Sequence, residues 1–267
     1  IMTPYLLLKS GIGNANDLKQ LSIPVSFHSP HVGKNFQDHL GLDYLYKTHL
    51  PTLNRDLGTW PGRIQSFLRY VYNRKGPLSL SLNQGGGYIN WKSLDPYPNI
   101  QLYFNPLTYS VTFKDKRPLL NTDKFNGFII GFNSCRPKSL GEINLKVSGD
   151  DYLPSIDPKY LSDEKDIHDL YSIFDFIRKF AANKNINDII KSPVNIDPIN
   201  SSDFELLDHF KSNATSIYHP CGTCRMSKGV ETGVVSEKLK VHGLDNLWIV
   251  DASIMPNITS GNINAPV

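Results

Sequence analysis

The chain has 267 residues, of which 40% are hydrophobic and 20% are charged. It is therefore long and apolar enough to bury a core, as one large domain or two small ones, and it is not typical of a disordered protein. Its 28 Lys and Arg residues against 25 Asp and Glu residues give a net charge of +3. That excess is too small to indicate nucleic acid or an anionic membrane as a partner.

Neither end of the chain looks like a natural terminus. The first residue is Ile1 and not an initiator Met, and the last residue is Val267. The first eight residues are apolar but have no basic lead and no small-residue cleavage site, so they are not a signal peptide. No apolar run approaches the roughly 18 residues of a membrane span. We expect the chain to be an internal piece of a longer protein.

The predicted elements follow in a mixed order of helices and strands. Thr3 and Pro4 suit the N-cap and first position of a short helix that ends at Ser10-Gly11. Helical spacing of apolar residues predicts further helices at 16–21, 63–72, 163–180 and 203–212. Alternating or continuous apolar residues predict strands at 40–46, 88–91, 100–104, 127–132, 142–147 and 247–250.

The spacing of the strands indicates the fold class. Those between residues 40 and 147 are spaced as in an antiparallel sheet rather than in βαβ units. The run 247–250 is fully apolar and ends at Asp251, which predicts a buried parallel strand with an acid at its carboxyl end. We therefore expect α/β plus α+β architecture, in which the middle of the chain faces substrate and both flanks belong to a nucleotide-binding domain.

Three blocks of sequence have motifs that are more specific than the helix and strand patterns. The first is Thr3-Pro4 followed by Ser10-Gly11-Ile12-Gly13, and the second is Val32-Gly33-x-Asn35-x-x-Asp38-His39. The third is C-terminal and comprises Tyr218-His219-Pro220-x-Gly222-Thr223-Cys224, Val250-Asp251-Ala252-Ser253-x-x-Pro256 and Ser260-Gly261-Asn262-x-Asn264-Ala265-Pro266.

In this order and spacing, the blocks resemble the glucose–methanol–choline (GMC) family of flavoprotein oxidoreductases, most closely its insect glucose-dehydrogenase-like branch. The resemblance implies a FAD-binding Rossmann-like domain flanking an antiparallel-sheet substrate-binding domain. It places residues 1–40 and 213–267 in the FAD domain and 41–212 in the substrate-binding domain. It also implies oxidation of an alcohol, such as a sugar, with FAD as cofactor and a quinone or O₂ as electron acceptor.

The resemblance also implies roles for individual residues. His219 aligns with the catalytic base, which removes the hydroxyl proton while hydride passes to flavin N5. Imidazole suits this role because it titrates near neutral pH. Asn262 aligns with the second active-site position, where an amide donates a hydrogen bond to the substrate oxygen but cannot act as a base.

Further residues resemble the family's FAD contacts. Asp251 and Ala252 align with the strand end whose backbone lies against the diphosphate and ribityl chain. Asn264, Ala265 and Pro266 align with the turn that approaches the isoalloxazine ring, and a helix beginning past that turn would favour negative charge on the reduced flavin.

Other features have simpler interpretations. His39 is more readily explained by a hydrogen bond that holds a loop than by contact with substrate or flavin. Cys221 and Cys224 have C-x-x-C spacing, but no second pair completes a metal site, so we expect packing around the His219 loop and no metal. Gly85-Gly86-Gly87 is no phosphate loop and indicates close backbone approach or a bulge.

Several alternatives stay open at this stage. The G-x-G-x-x-G fingerprint that holds the FAD diphosphate is absent from these residues, so we expect the isolated chain neither to hold FAD tightly nor to turn over. A hydroxynitrile lyase using the same His as acid and base, or a non-catalytic remnant, is the alternative to an oxidoreductase. Sequons at Asn200 and Asn213 and the family resemblance favour secretion. A third sequon, Asn257, is expected to be buried.

Overall fold

The computed structural model describes residues 1–93, 95–114 and 117–267. Within these ranges the α-helices are α1 (Met2–Lys9), α2 (Ala15–Gln20), α3 (Leu53–Leu57), α4 (Trp60–Asn73), α5 (Glu164–Ala182), α6 (Lys184–Asn187) and α7 (Asp203–Asn213). The strands are β1 (Ile12–Gly13), β2 (Phe27–His28), β3 (Leu40–Thr48), β4 (Gly85–Ile89), β5 (Ile100–Asn105), β6 (Tyr109–Lys114), β7 (Arg117–Thr122), β8 (Gly127–Ser134), β9 (Glu142–Ser148), β10 (Asp151–Asp157), β11 (Ile190–Pro193) and β12 (Thr215–Ser216). Short 3₁₀ turns cover Pro77–Ser79 and Ala252–Ile254.

The chain forms two compact units. Unit 1 consists of residues 1–40, 134–169 and 216–267, and unit 2 consists of residues 41–133 and 170–215. Unit 1 thus joins the two predicted FAD-domain segments, but it also takes in residues 134–169, which the sequence analysis placed in the continuous segment 41–212. The assignment of FAD and substrate to separate units stays a prediction.

The core of unit 2 is an antiparallel sheet, as the strand spacing predicted. Five strands follow one another in the order β11-β3-β8-β5-β4, and β3 pairs with β8 in antiparallel register. Tyr44 and Tyr46 are buried on β3, where their rings contact Phe132 and Phe128 of β8. Phe176 of α5 contacts Phe132 in turn, so this helix covers the sheet through aromatic packing.

The glycine triplet lies in β4 of that sheet. Gly85, Gly86 and Gly87 pair with Phe104, Tyr103 and Leu102 of β5 in continuous register, without a bulge. A Cβ at Gly86 would lie 2.5 Å from the Leu102 carbonyl oxygen. The triplet therefore permits close backbone approach, which was one of the two predicted interpretations.

Unit 1 is built around the two ends of the chain and a hairpin between them. Strands β9 and β10 form an antiparallel hairpin, in which Glu142 pairs with Asp157 at the open end and Ser148 pairs with Asp151 next to the turn. Helix α2 is capped by Asn14, whose side chain accepts hydrogen bonds from the backbone N–H groups of residues 16 and 17. A single apolar cluster joins the helices, the hairpin and the C-terminal loops; its buried members include Leu7, Leu8, Leu18, Ile23, Val32, Leu145, Val234, Val235, Val241 and Ile249.

Two local predictions in unit 1 are wrong. Helix α1 begins at Met2 without a side-chain cap, and the Thr3 hydroxyl donates to Asp251 instead of capping the helix. The run 247–250 forms no parallel strand among the described residues. Trp248 makes one isolated antiparallel bridge, and Val250 is 74% exposed while Ile249 is buried. The run is therefore covered on only one side, and its backbone bonds join it to the preceding loop.

Among the described residues, no helix combines the length and apolar character that crossing a membrane requires.

Candidate active site

His219 lies in a loop of unit 1 whose backbone conformation is tightly constrained. Its side chain is only 7% exposed. The preceding residue, Tyr218, is held at a φ of 64°, in the left-handed region that bulky side chains rarely adopt. Such strain persists only where surrounding contacts hold it in place.

Asp38 supplies those contacts. Its carboxylate is buried and accepts hydrogen bonds from the backbone N–H of His219 (2.9 Å), the hydroxyl of Ser216 (2.5 Å) and the hydroxyl of Tyr160 (2.7 Å). The Ser216 oxygen also accepts the N–H of Tyr218 at 2.9 Å. One carboxylate therefore holds the backbone on both sides of the strained residue.

His39 lies directly behind His219. The two Nδ1 atoms are 2.9 Å apart, and the rings are nearly perpendicular at 84°. The Nε2 atom of His39 is 3.0 Å from the backbone carbonyl oxygen of Cys135. Burial lowers the pKa of both imidazoles below the ordinary value of 6.5, although the Asp38 carboxylate acts in the opposite direction on each. Both rings are therefore neutral at physiological pH.

The remaining polar residues of the second sequence block hold the neighbouring loops. The Asn35 amide donates to the carbonyl oxygens of Gly222 and Pro256. The Gln37 amide also donates to Pro256, and its oxygen accepts the N–H of Ile258. The block at residues 32–39 thus connects the His219 loop to the segment that leads to Asn262.

The loops of His219 and Asn262 share a small apolar cluster. Cys221, Ile258 and Ile263 are buried together, two residues after His219 and on both sides of Asn262. The backbone of Thr259 also contributes to the pKa of His39 by a hydrogen bond that raises it. The structure therefore brings the two segments together, while the side chain of Asn262 itself is exposed.

The residues predicted to contact the cofactor divide into two groups. Asn264, Ala265 and Pro266 are exposed and lie in a turn closed by a bond from the Val267 N–H to the Ile263 carbonyl. Their predicted contact with the isoalloxazine ring stays a prediction.

Asp251 and Ala252 make defined contacts within unit 1. The Asp251 carboxylate accepts hydrogen bonds from the Ser253 N–H (2.7 Å) and the Thr3 hydroxyl (2.5 Å). Burial alone would raise the pKa of Asp251, but these hydrogen bonds outweigh it, so the pKa lies below its ordinary value. The Ala252 carbonyl accepts the N–H of Gly222. The Asp251 side chain is thus engaged by the protein, while the neighbouring Val250 is exposed.

The C-x-x-C pair packs as predicted. Cys221 and Cys224 are free thiols buried in two different apolar clusters. Burial raises the pKa of both thiols to about 12, so neither forms a reactive thiolate near neutral pH. In the ranges that the structure describes, no three His, Cys, Asp or Glu side chains are grouped as metal ligands.

Sequence reasoning missed Asp38, Ser216 and Tyr160 as parts of the site. Asp38 stood in the block at residues 32–39, but its contacts with Tyr160 and Ser216 join residues 122 and 178 positions apart along the chain. No local pattern shows such contacts. The role of His39 as a hydrogen-bonding residue was expected, although its partner His219 was not.

Comparison with known protein families finds a match in the C-terminal part of the chain. Residues 137–267 match the family model described as GMC oxidoreductase. This part of the chain is therefore similar to the GMC oxidoreductase family.

Relatives extend the match over the whole chain. The chain is 35% identical over 267 residues to "Alcohol dehydrogenase [acceptor]" of Pseudomonas putida, covering 100% of the chain and 47% of that protein. It is 32% identical over 266 residues to "Oxygen-dependent choline dehydrogenase" of Chromohalobacter salexigens, covering 100% of the chain and 46% of that protein. The chain thus spans about half the length of these curated relatives.

A solved structure has the same fold. The crystal structure of pyridoxine 4-oxidase from "Mesorbium loti" superposes with a TM-score of 0.77 at 25% identity, covering 100% of this chain and 47% of that one. The fold of this chain is therefore found within a solved oxidase about twice its length.

Proposed function

We propose that the protein containing this chain oxidises an alcohol with FAD as the hydride acceptor, and that His219 accepts the hydroxyl proton. The observation that carries the proposal is the environment of His219. The imidazole is buried, neutral at physiological pH and held by the backbone contacts of Asp38. Among the described residues, its Nε2 atom makes no hydrogen bond, so this atom is available to substrate. A neutral, preoriented imidazole is what general-base catalysis requires.

Asn262 supports the same reaction from the neighbouring loop. Its exposed amide can donate a hydrogen bond to the substrate oxygen, which stabilises alkoxide character as His219 takes the proton. An amide has no basic nitrogen, so His219 carries the proton alone.

We propose that FAD lies against a surface formed by the predicted contact residues and their neighbours. Asn264, Ala265 and Pro266 offer an open edge without bulky side chains, and the exposed Val250 and half-exposed Trp248 add apolar area near Asp251. When bound, FAD would supply the two-electron acceptor that alcohol oxidation needs. The family resemblance and the relatives support this cofactor.

We further propose that the chain works together with a FAD-binding portion outside its 267 residues. The chain spans about half of its relatives and carries no G-x-G-x-x-G turn to hold the diphosphate. Purified alone, it should show no flavin absorbance after gel filtration with excess FAD. Stoichiometric FAD that survives dialysis would contradict this.

The substrate class is an alcohol. A sugar is the finer proposal from the insect glucose-dehydrogenase-like resemblance, whereas two relatives are named for alcohol and for choline. Electrons pass on to a quinone or to O₂. Secretion is a further proposal, supported by the exposure of the sequon residues Asn200 and Asn213. Asn257 is exposed too, contrary to the prediction that it would be buried.

An anaerobic experiment tests the reaction class. The complete flavoprotein is mixed with primary alcohols, choline and glucose, and flavin absorbance is followed in a stopped-flow spectrophotometer. Bleaching by one class supports the proposal and names the substrate. Cyanide release from a cyanohydrin without bleaching would support the lyase instead. Failure to react with any compound would favour the non-catalytic alternative.

A substitution tests the base. His219→Ala should lower the rate constant for flavin reduction by roughly 10²- to 10⁴-fold, the usual contribution of a positioned general base. The matched control is His49→Ala, because His49 is exposed in unit 2 and belongs to no part of the site. Equal rate constants for flavin reduction in the two variants would show that His219 is not the base.

A further inference from the structure

The proposed function uses His219 but leaves a second buried imidazole unexplained. His39 is 0% exposed, and both of its ring nitrogens are engaged. Its Nδ1 atom lies 2.9 Å from Nδ1 of His219 and its Nε2 atom lies 3.0 Å from the Cys135 carbonyl oxygen, and the backbone of Thr259 also forms a hydrogen bond with the ring. A polar ring at this depth is costly unless each nitrogen is matched to its partner, so the positions of its protons can be deduced.

The Cys135 carbonyl determines the proton of His39. A carbonyl oxygen only accepts hydrogen bonds, so the Nε2 atom of His39, 3.0 Å away, carries the proton. Burial keeps His39 neutral by lowering its pKa, and a neutral imidazole has one proton. The Nδ1 atom of His39 is therefore an unprotonated acceptor.

The same logic continues to His219. Its Nδ1 atom lies 2.9 Å from the unprotonated Nδ1 of His39, so His219 must donate there. His219 is neutral as well, because burial lowers its pKa. Its one proton is thus on Nδ1, and its Nε2 atom carries a lone pair. The opposite tautomer would require His39 to turn an unprotonated Nε2 toward a carbonyl oxygen, which is repulsive.

We propose that His39 is a positioning residue that selects the tautomer of His219, so that Nε2 of His219 is the proton-accepting atom. The Cys135 carbonyl, His39 and His219 form one directional chain of hydrogen bonds that ends at this nitrogen. The inference rests on the proposed function for its use in catalysis, but the tautomers themselves are a property of the folded chain. Asp38 is the charged group that faces both rings, and it binds the backbone of His219 rather than either ring nitrogen.

Nuclear magnetic resonance measures the tautomers without any turnover. The complete protein is labelled with ¹⁵N-histidine and long-range ¹H–¹⁵N correlations are recorded above neutral pH. We expect His219 to show a protonated Nδ1 and an unprotonated Nε2, and His39 to show the reverse. Signals are assigned by their loss in His39→Phe and His219→Gln. A protonated Nε2 on His219 in the unsubstituted protein would overturn the proposal, whatever the variants do.

Substitution of His39 tests the catalytic consequence. His39→Phe keeps a flat ring but has no acceptor, so the unprotonated Nε2 of His219 should become less populated. Flavin reduction should slow on the order of tenfold, the equivalent of one hydrogen bond, with little change in substrate affinity. His39→Asn places an amide oxygen near the Nδ1 position and should recover most of the rate. Equal slowing in both variants, or a change confined to KM, would contradict tautomer selection.

The two proposals fail in different ways. If no alcohol reduces the flavin but the nitrogen signals are as expected, the proposed function is wrong and the tautomer assignment stands. If His219→Gln abolishes flavin reduction but His219 carries its proton on Nε2, the proposed function stands and the role of His39 is wrong.

Discussion

The carboxylate of Asp38 should contribute strongly to the stability of unit 1. It is buried and accepts hydrogen bonds from the His219 N–H and from the hydroxyls of Ser216 and Tyr160. Hydrogen bonds to a charged group are worth about 1 kcal/mol more than neutral ones. Asn has only one acceptor oxygen, so Asp38→Asn weakens the two hydroxyl bonds to neutral ones and leaves the His219 N–H facing the amide NH₂ group. Together these changes cost about 3 kcal/mol, and relief from burying a charge returns part of it. We expect a net loss of about 2 kcal/mol.

Chemical denaturation of the complete protein, followed by near-UV circular dichroism, measures this loss. Tyr160→Phe removes one of the three donors and should cost about 1 kcal/mol. Because the two changes share one carboxylate, the double variant should lose less than the sum of the single losses. A loss below about 0.5 kcal/mol for Asp38→Asn would refute the reasoning, since that is the size of an ordinary surface substitution.

Two further predictions concern unit 1. Gly222→Ala should cost about 2–3 kcal/mol, because Gly222 has a φ of +84° and an added Cβ would lie 2.5 Å from the Asn35 carbonyl oxygen; a thermal melt unchanged from the parent protein would contradict this. Hydrogen bonds from Lys34, and then from Lys159, lower the pKa of Glu142 to about 2. Ionised Glu142 therefore stabilises the folded state by about 1–2 kcal/mol. This contribution is complete when the pH is above 4.5, the ordinary pKa of Glu, and disappears as the pH falls toward 2. Glu142→Gln should flatten this part of the pH–stability curve, and an unchanged curve would show that the ion pairs contribute nothing.

Much of the fold could be predicted because its signals are local. Alternating apolar residues in β3 and helical spacing in α5 were sufficient to place these elements within a few residues. The run 247–250 was misassigned because four apolar residues fit a buried strand by composition alone. The exposure of Val250 depends on what surrounds the segment, and no window of sequence contains that information.

The candidate site shows the same division. The blocks around His219 and Asn262 were recognisable by motif. The block at 32–39 was also recognised as a motif, but its contacts could not be predicted. Its function as a set of hydrogen bonds to the His219 loop depends on contacts such as His39–His219, which are 180 residues apart in the chain. Folding alone brings such residues together, so the sequence could single out His219 as the predicted base but not the residues that contact it.

The pH dependence of flavin reduction tests the central claim most directly. Burial holds the pKa of His219 below 6.5, so the rate constant in the complete protein should be level at neutral pH and above. Below the pKa it should fall by about tenfold per pH unit as the base becomes protonated. His219→Gln should remove this dependence and leave a low, flat profile. If the rate constant fell in the same way at low pH in the unsubstituted protein and in His219→Gln, the titrating base would be another group.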